Sequence, residues 1–335
     1  MKILLKNYTK MVKFVEKIFH IPVMLKELID FFFLNPEELM DKYFPKKKVP
    51  IVTEEIPEIF VDTTAGGGGH LFSLINYYQK SFPKKFKNTI FIGLDIDKEA
   101  VEYLEEKRKK FGIDNLFIYW ENYINIRKLF SEIYPQKRPC RILFDLGLSY
   151  HQAKISERGF SYNNNGIIDM RFDRVRQRKS ALDIIRESSW KEIERILREF
   201  GEETKAEKIA KKIFQRKREI KTTFDLKTVI LSTSGKKSIP RVFQALRIAA
   251  NNELENLQIG LREAFLLLKN KGRLAVITYH SLEDRIAKKF FNCCEKEGKG
   301  CVLTPKAITS SEEEIENNLA ARSGKLRVFL KYEKI

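Results

Sequence analysis

Asp62-Thr63-Thr64-Ala65-Gly66-Gly67-Gly68-Gly69-His70 is the stretch on which the reading of this chain turns. Before it, Ile59–Thr63 is a short apolar run that predicts a buried strand. After it, Leu71–Tyr78 predicts a helix. Glycines at such a turn allow positive φ angles and a close approach of backbone to a ligand. Working outward, Thr89–Leu94 predicts a second strand ending at Asp95. Lys98–Lys110 predicts a helix, Leu116–Tyr119 a third strand and Arg141–Asp145 a fourth. Strands alternating with helices predict an α/β fold: a parallel sheet covered by helices on both faces.

A carboxylate at the end of the second strand, here Asp95, can accept hydrogen bonds from both ribose hydroxyls of an adenosine cofactor. That suits NAD and S-adenosylmethionine alike. Asp62, just before the glycines, favours the methyl donor, because a carboxylate there fits a cationic amino acid moiety better than a pyrophosphate. Tyr123, after the third strand, is a candidate to pack on adenine, with core packing as the alternative. Asp145-Leu146-Gly147-Leu148-Ser149 follows the fourth strand, where open α/β sheets place their chemistry. Amino-directed methyltransferases often carry an acidic or amide residue there. An acceptor for an N–H of cytosine N4 aims the nitrogen lone pair at the methyl group, and positioning of this kind contributes up to about 7–11 kcal/mol in ideal cases. Cofactor contact or a helix cap is the alternative for Asp145.

The alternation breaks after Ser149. Residues 151–245 contain 23 Lys or Arg against 13 Asp or Glu, a net of +10 within a chain whose total is +18. Ser189 is placed to cap a helix with Ile193, Ile196, Leu197 and Phe200 on one face, stopped by Gly201. The next helix turns Ile209, Ala210, Ile213 and Phe214 inward and Lys205, Lys208, Lys212 and Arg216 outward. This predicts an inserted helical domain with a basic face, suited to a polyanionic partner. One long helix is expected from Phe243 to Leu268, then a fifth strand at Arg273–Thr278 and a closing strand at Leu326–Tyr332. The acidic Ser310–Asn318 reads as a mobile loop. Cys140, Cys293, Cys294 and Cys301 lack a zinc-site spacing, so free thiols and no metal are expected. No apolar run is long enough to span a membrane. Met1–Phe19 reads as a basic extension and not a signal peptide, and residues 20–150 and 246–335 as the core.

Together with His20-Ile21-Pro22-Val23-Met24-Leu25, Glu157-Arg158-Gly159-Phe160-Ser161, Asp169-Met170-Arg171, Phe200-Gly201-Glu202-Glu203, Phe243-Gln244-Ala245-Leu246-Arg247-Ile248, His280-Ser281-Leu282-Glu283-Asp284-Arg285 and Ala321-Arg322-Ser323, the glycine turn and Asp145-Leu146-Gly147 resemble a known family. It is the H-type methyltransferase of bacterial small-subunit ribosomal RNA. The resemblance implies a Rossmann-like class I S-adenosylmethionine-dependent core interrupted by a helical domain, methylating N4 of a cytosine in the decoding centre of 16S RNA in the cytoplasm. It also implies that Gly68, Gly69, His70, Asp95, Tyr123, Asp145 and Gln152 contact S-adenosylmethionine. The family's Ser-Ser-Pro-Gln is here Ser149-Tyr150-His151-Gln152, and its acidic residue two positions later is Lys154.

His280 and Ser281, after the fifth strand, are candidates to hydrogen-bond an extruded cytosine, or His280 caps the following helix. Tyr150, Phe160, Tyr162 and Tyr279 are candidates for stacking on the base, with core packing the favoured alternative for each, and Arg171, Arg174, Arg176 and Arg178 are candidates for phosphate contact. The partner expected is small-subunit ribosomal RNA, naked or in the assembled particle. The rival readings are an NAD-dependent oxidoreductase and a non-enzymatic RNA-binding protein.

Overall fold

The computed structural model describes residues 22–49, 58–149, 152 and 157–332. Met1–Phe19, His20, Ile21, Tyr150, His151 and Lys154 lie outside the described residues. The chain divides into two compact units, one made of residues 1–147 and 256–335, the other of Leu148–Glu255.

The first unit is built on strands β1 (Ile59–Asp62), β2 (Ile90–Asp95), β3 (Leu116–Trp120), β4 (Arg141–Asp145), β5 (Arg273–Thr278), β6 (Gly300–Val302), β7 (Ile308–Thr309) and β8 (Lys325–Lys331). They form one sheet in the order β3-β2-β1-β4-β5-β8-β6, with β7 also paired to β8. The first five strands are mutually parallel, and β8 runs antiparallel to β5. Strand order reverses between β1 and β4, so their carboxyl ends open the crevice in which such sheets hold ligands.

Both faces of the sheet are covered, which explains the nearly unbroken apolar runs. Phe60, Phe91, Leu143, Ala275 and Ile277 point to one side and pack with the helices Leu25–Phe33 and Gly69–Ser81. Val61, Ile92, Leu94, Ile142, Phe144 and Val276 point to the other and pack with Leu257, Leu261, Leu268 and Phe291. Two buried arginines at the amino ends of β4 and β5 tie the first of these helices down. Arg141 donates to the carbonyl of Phe32 (2.8 Å) and Arg273 to that of Phe31 (2.6 Å). Both satisfy carbonyls at the helix C-terminus.

The second unit contains helices Ala181–Glu187, Trp190–Gly201, Ala206–Arg216, Thr223–Ser234 and Ser238–Asn251 around a core of its own, including Ile185, Ile196, Ile209, Ile213, Leu226 and Leu246. Ser189 Oγ caps the second helix by accepting from Glu192 N–H at 3.2 Å. Gly201 ends that helix, with Glu202 in the left-handed region beyond it. A Cβ on Gly201 would stand 2.7 Å from the carbonyl oxygen of Arg241, so the glycine also permits close helix packing.

Three expectations are corrected. The helix expected from Phe243 to Leu268 is two, Ser238–Asn251 and Glu253–Leu267, because Asn252 adopts a left-handed conformation (φ 50°) that asparagine tolerates and a helix cannot continue through. The acidic loop Ser310–Asn318 contains a helix, Glu312–Asn317, capped by Ser311, and Glu314 accepts from the backbone N–H of Met24 at 2.6 Å. Phe214 is 37% exposed and faces outward beside Lys217. Strands β6 and β7 are too short to show a period of two and escape a sequence reading.

Candidate active site

The glycine turn is stitched to the strands on either side of β1. Thr63 N–H donates to the Leu143 carbonyl (2.9 Å), Ala65 N–H to the Leu94 carbonyl (2.9 Å) and Gly66 N–H to Asp95 Oδ2 (2.7 Å). Gly66 and Gly68 have φ of 49° and 82°. The helix Gly69–Ser81 begins with no side-chain cap, so its first turn offers backbone N–H groups. Asp95 Oδ1 accepts from Asp97 N–H at 2.8 Å. The backbone N–H groups of Gly66, Asp97 and Ile96 thus hold the Asp95 carboxylate, whose two oxygens have further lone-pair capacity for a ligand.

Asp145 ends β4. Its N–H donates to Thr64 Oγ1 (2.7 Å), its Oδ1 accepts from the Tyr279 hydroxyl (2.8 Å), and its Oδ2 lies 3.1 Å from His70 Nδ1. The Asp145 side chain remains 24% exposed, so a ligand can still reach it. His70, only 4% exposed, has its Nε2 2.9 Å from the carbonyl of Val23. A carbonyl only accepts, so Nε2 carries a proton. Nδ1 faces a carboxylate, so it too is best protonated. Burial alone would disfavour the charged ring, but the Asp145 and Asp62 carboxylates and the Val23 carbonyl outweigh it and raise the His70 pKa.

Two neighbouring carboxyls carry the opposite strain. Burial, with His70 opposing and Asp145 reinforcing, pushes Asp62 up to about 7. Burial, partly offset by the N–H groups of Asp97 and Gly66, pushes Asp95 up to about 6. Asp62, Asp95 and Asp145 thus surround the turn, and among the described residues the His70 imidazolium is set against them, an arrangement rich in negative charge.

The Tyr123 ring is half-buried. It meets Phe144 edge-on with centroids 5.3 Å apart and lies against Gly260, where a Cβ would come within 2.4 Å of it. His280 is the N-cap of the helix Ser281–Lys296, its Nδ1 accepting from Glu283 N–H at 3.4 Å. Ser281 is exposed in the first turn. Gln152 belongs to the second unit and is exchanged with Ser149: Ser149 N–H donates to Gln152 Oε1 (3.1 Å), and Gln152 N–H to Ser149 Oγ (3.2 Å). The structure therefore gathers His70 and Asp145 directly, sets Asp95 on the same turn, and puts Tyr123, His280 and Ser281 at the ends of β3 and β5.

The structure gives contacts to the aromatic and arginine candidates and to two residues the sequence reading did not single out. Tyr279, a candidate for base stacking or core packing, donates its hydroxyl to Asp145 Oδ1. Phe160 stacks on Phe172 (5.6 Å, 20°) and Tyr162 meets Phe243 edge-on, both within the helical core. Arg171 is held by Asp169 through Nε (2.6 Å) and Nη2 (3.0 Å), while Arg174 and Arg178 are exposed. Val23 and Thr64 act through backbone carbonyl and hydroxyl, roles visible only once β1, β4 and the N-terminal helix are assembled.

A protein from Coprothermobacter proteolyticus named Ribosomal RNA small subunit methyltransferase H is 42% identical over 306 residues, which is 87% of this chain and 98% of that one. Its namesake from Caldicellulosiruptor saccharolyticus is 37% identical over 331 residues, covering 92% and 98%. One from a Sulfurihydrogenibium species is 38% identical over 280 residues, covering 81% and 92%. The model of the MraW methylase family matches residues 17–332, and the chain belongs to that family.

Proposed function

We propose that this methylase uses S-adenosylmethionine to methylate N4 of a cytosine in the decoding centre of small-subunit ribosomal RNA. The observation that carries the reading is the cluster of carboxylates, buried Asp62 and Asp95 with part-exposed Asp145, around the uncapped glycine turn at the carboxyl edge of the sheet. A ligand bearing an ammonium and a sulfonium supplies the missing positive charge, whereas the pyrophosphate of NAD would meet Asp62 with like charge. The names of the relatives point to ribosomal RNA as substrate.

On this reading Gly68, Gly69 and His70 form the floor under the amino acid moiety, with Asp62 near its ammonium. Asp95 takes the ribose hydroxyls, Tyr123 the adenine, and Asp145 and Gln152 complete the cofactor contacts. Asp145 also accepts an N–H of the target amine, and His280 and Ser281 contact the extruded base. When bound, S-adenosylmethionine would supply an electrophilic methyl to the amine lone pair, with S-adenosylhomocysteine as the leaving group and the N4 proton passing to water. The chain's own contribution is orientation of the amine and exclusion of water. The basic helical unit, residues 151–245 by charge, grips phosphates of small-subunit ribosomal RNA, naked or assembled, in the cytoplasm. Among the described residues no helix is long and apolar enough to cross a membrane.

The test is methyl transfer from labelled donor to small-subunit particles lacking the modification, followed by mass spectrometry of the hydrolysed nucleosides. N4-methylated cytidine is the expected product. Label in a different nucleoside would replace the target. Tight NAD binding without binding of S-adenosylhomocysteine would overturn the reading altogether.

A further inference from the structure

Tyr279 is held on three sides. Its N–H donates to Glu283 Oε2 (2.9 Å) at the start of the helix that follows. Its ring lies against Gly147, where φ is 100° and an added Cβ would stand 3.3 Å from Tyr279 Cδ2. Its hydroxyl donates to Asp145 Oδ1 at 2.8 Å. Burial, reinforced by the Asp145 carboxylate, holds the phenol well above its ordinary pKa, so it stays a donor at every working pH. The other oxygen of Asp145 faces a charged His70 at 3.1 Å. Each carboxylate oxygen is thereby committed to one donor on a rigid partner, and the plane of the carboxylate is set.

We infer that Tyr279 is a positioning residue for methyl transfer: through its hydroxyl it holds the Asp145 carboxylate in the one orientation whose remaining lone pair meets the N–H of the target amine. The inference rests on the proposed amine-directed chemistry, because a hydrogen bond to a carboxylate that merely tethered cofactor would show in binding. With His70 on the opposite oxygen, loss of the hydroxyl lets the carboxylate swing about one anchor. A small rotation is enough to misdirect a weakly nucleophilic amine.

The experiment compares wild type, Tyr279→Phe, Asp145→Asn and the double variant, full length, on small-subunit particles with S-adenosylmethionine. Tyr279→Phe is expected to lower kcat roughly tenfold or more, the scale of one lost hydrogen bond to a charged group. The KM for S-adenosylmethionine and the affinity for S-adenosylhomocysteine should stay within about twofold of wild type on the same bookkeeping. The double variant should be no slower than Asp145→Asn alone, since the hydroxyl acts only through that carboxylate. A Tyr279→Phe enzyme with unchanged kcat, a loss confined to cofactor affinity, or a double variant whose losses multiply would each overturn the inference. Gly147→Ala, which displaces the ring but keeps the hydroxyl, should lower kcat in the same direction and serves if Tyr279→Phe does not fold. If wild type itself methylates no cytosine, the proposed function fails; if only the variant pattern departs, the role of Tyr279 fails alone.

Discussion

At the scale of single residues, the glycine turn is a set of charges that wait for a cation. Asp62 and Asp95 have folded pKa values near 7 and 6 against an ordinary 3.8. A raised folded value means that their contribution to stability is full below about pH 4 and is lost as pH climbs through 6 to 7. A cationic ligand reverses the balance, because it binds the ionised forms. S-adenosylmethionine affinity is therefore expected to rise with pH from about 5.5 to 7.5, by at most about tenfold per unit per carboxyl, with proton release on binding. Calorimetry in buffers of different ionisation enthalpy measures both, and affinity that is flat across that window would refute the charge argument. Gly68 supplies the second residue-scale prediction. Its φ is 82°, and a Cβ would stand 2.5 Å from Phe72 and 2.7 Å from Leu104. Gly68→Ala should cost roughly 1–3 kcal/mol in urea unfolding and weaken cofactor binding. An alanine variant as stable as wild type would show that the turn relaxes freely.

At the scale of elements, helix ends deliver residues to the sheet's carboxyl edge. His280 caps Ser281–Lys296 while Glu283 reaches back to the N–H groups of Tyr279 and His280. This capping box sets the start of the helix and therefore the position of Tyr279. His280→Ala should lose about 1 kcal/mol of stability, and His280→Asn should recover most of it. If His280 also touches the target base, the asparagine variant will regain its melting temperature without regaining kcat. Recovery of both would confine His280 to capping. The same logic explains the helix Glu312–Asn317. Its Ser311 cap follows a pattern readable in sequence, yet its acidity suggested a loop, since what Glu314 binds, the N–H of Met24, is distant in the chain.

At the scale of the whole molecule, the charge is unevenly divided: residues 151–245 hold a net +10 of the total +18. Lys208 on the helix Ala206–Arg216 is exposed, Lys212 and Lys217 partly so, while Lys211 is engaged by Glu207. A Lys208→Glu, Lys212→Glu, Lys217→Glu variant should retain S-adenosylhomocysteine affinity. It should lose RNA-particle binding and flatten the dependence of that binding on salt. Asp95→Ala should do the reverse, losing cofactor and keeping the particle. Filter binding across a salt series and calorimetry separate the two. Equal loss of cofactor in both variants would refute the division of labour.

The parallel sheet was legible in the sequence because its strands are buried on both faces and read as apolar runs punctuated by glycine and acid, a purely local pattern. The Asp62–His70 turn, Asp95 and Asp145 were legible for the same reason, each standing directly after a strand. The chain's pattern could not reveal what joins residues far apart. The Tyr279 hydroxyl on Asp145, the Val23 carbonyl that accepts from His70 Nε2, and the raised pKa values of Asp62 and Asp95 exist only after β1, β4 and β5 lie side by side. Hydrogen bonds and desolvation depend on distance in space, and residue types alone do not encode which carboxylate will be buried beside which donor.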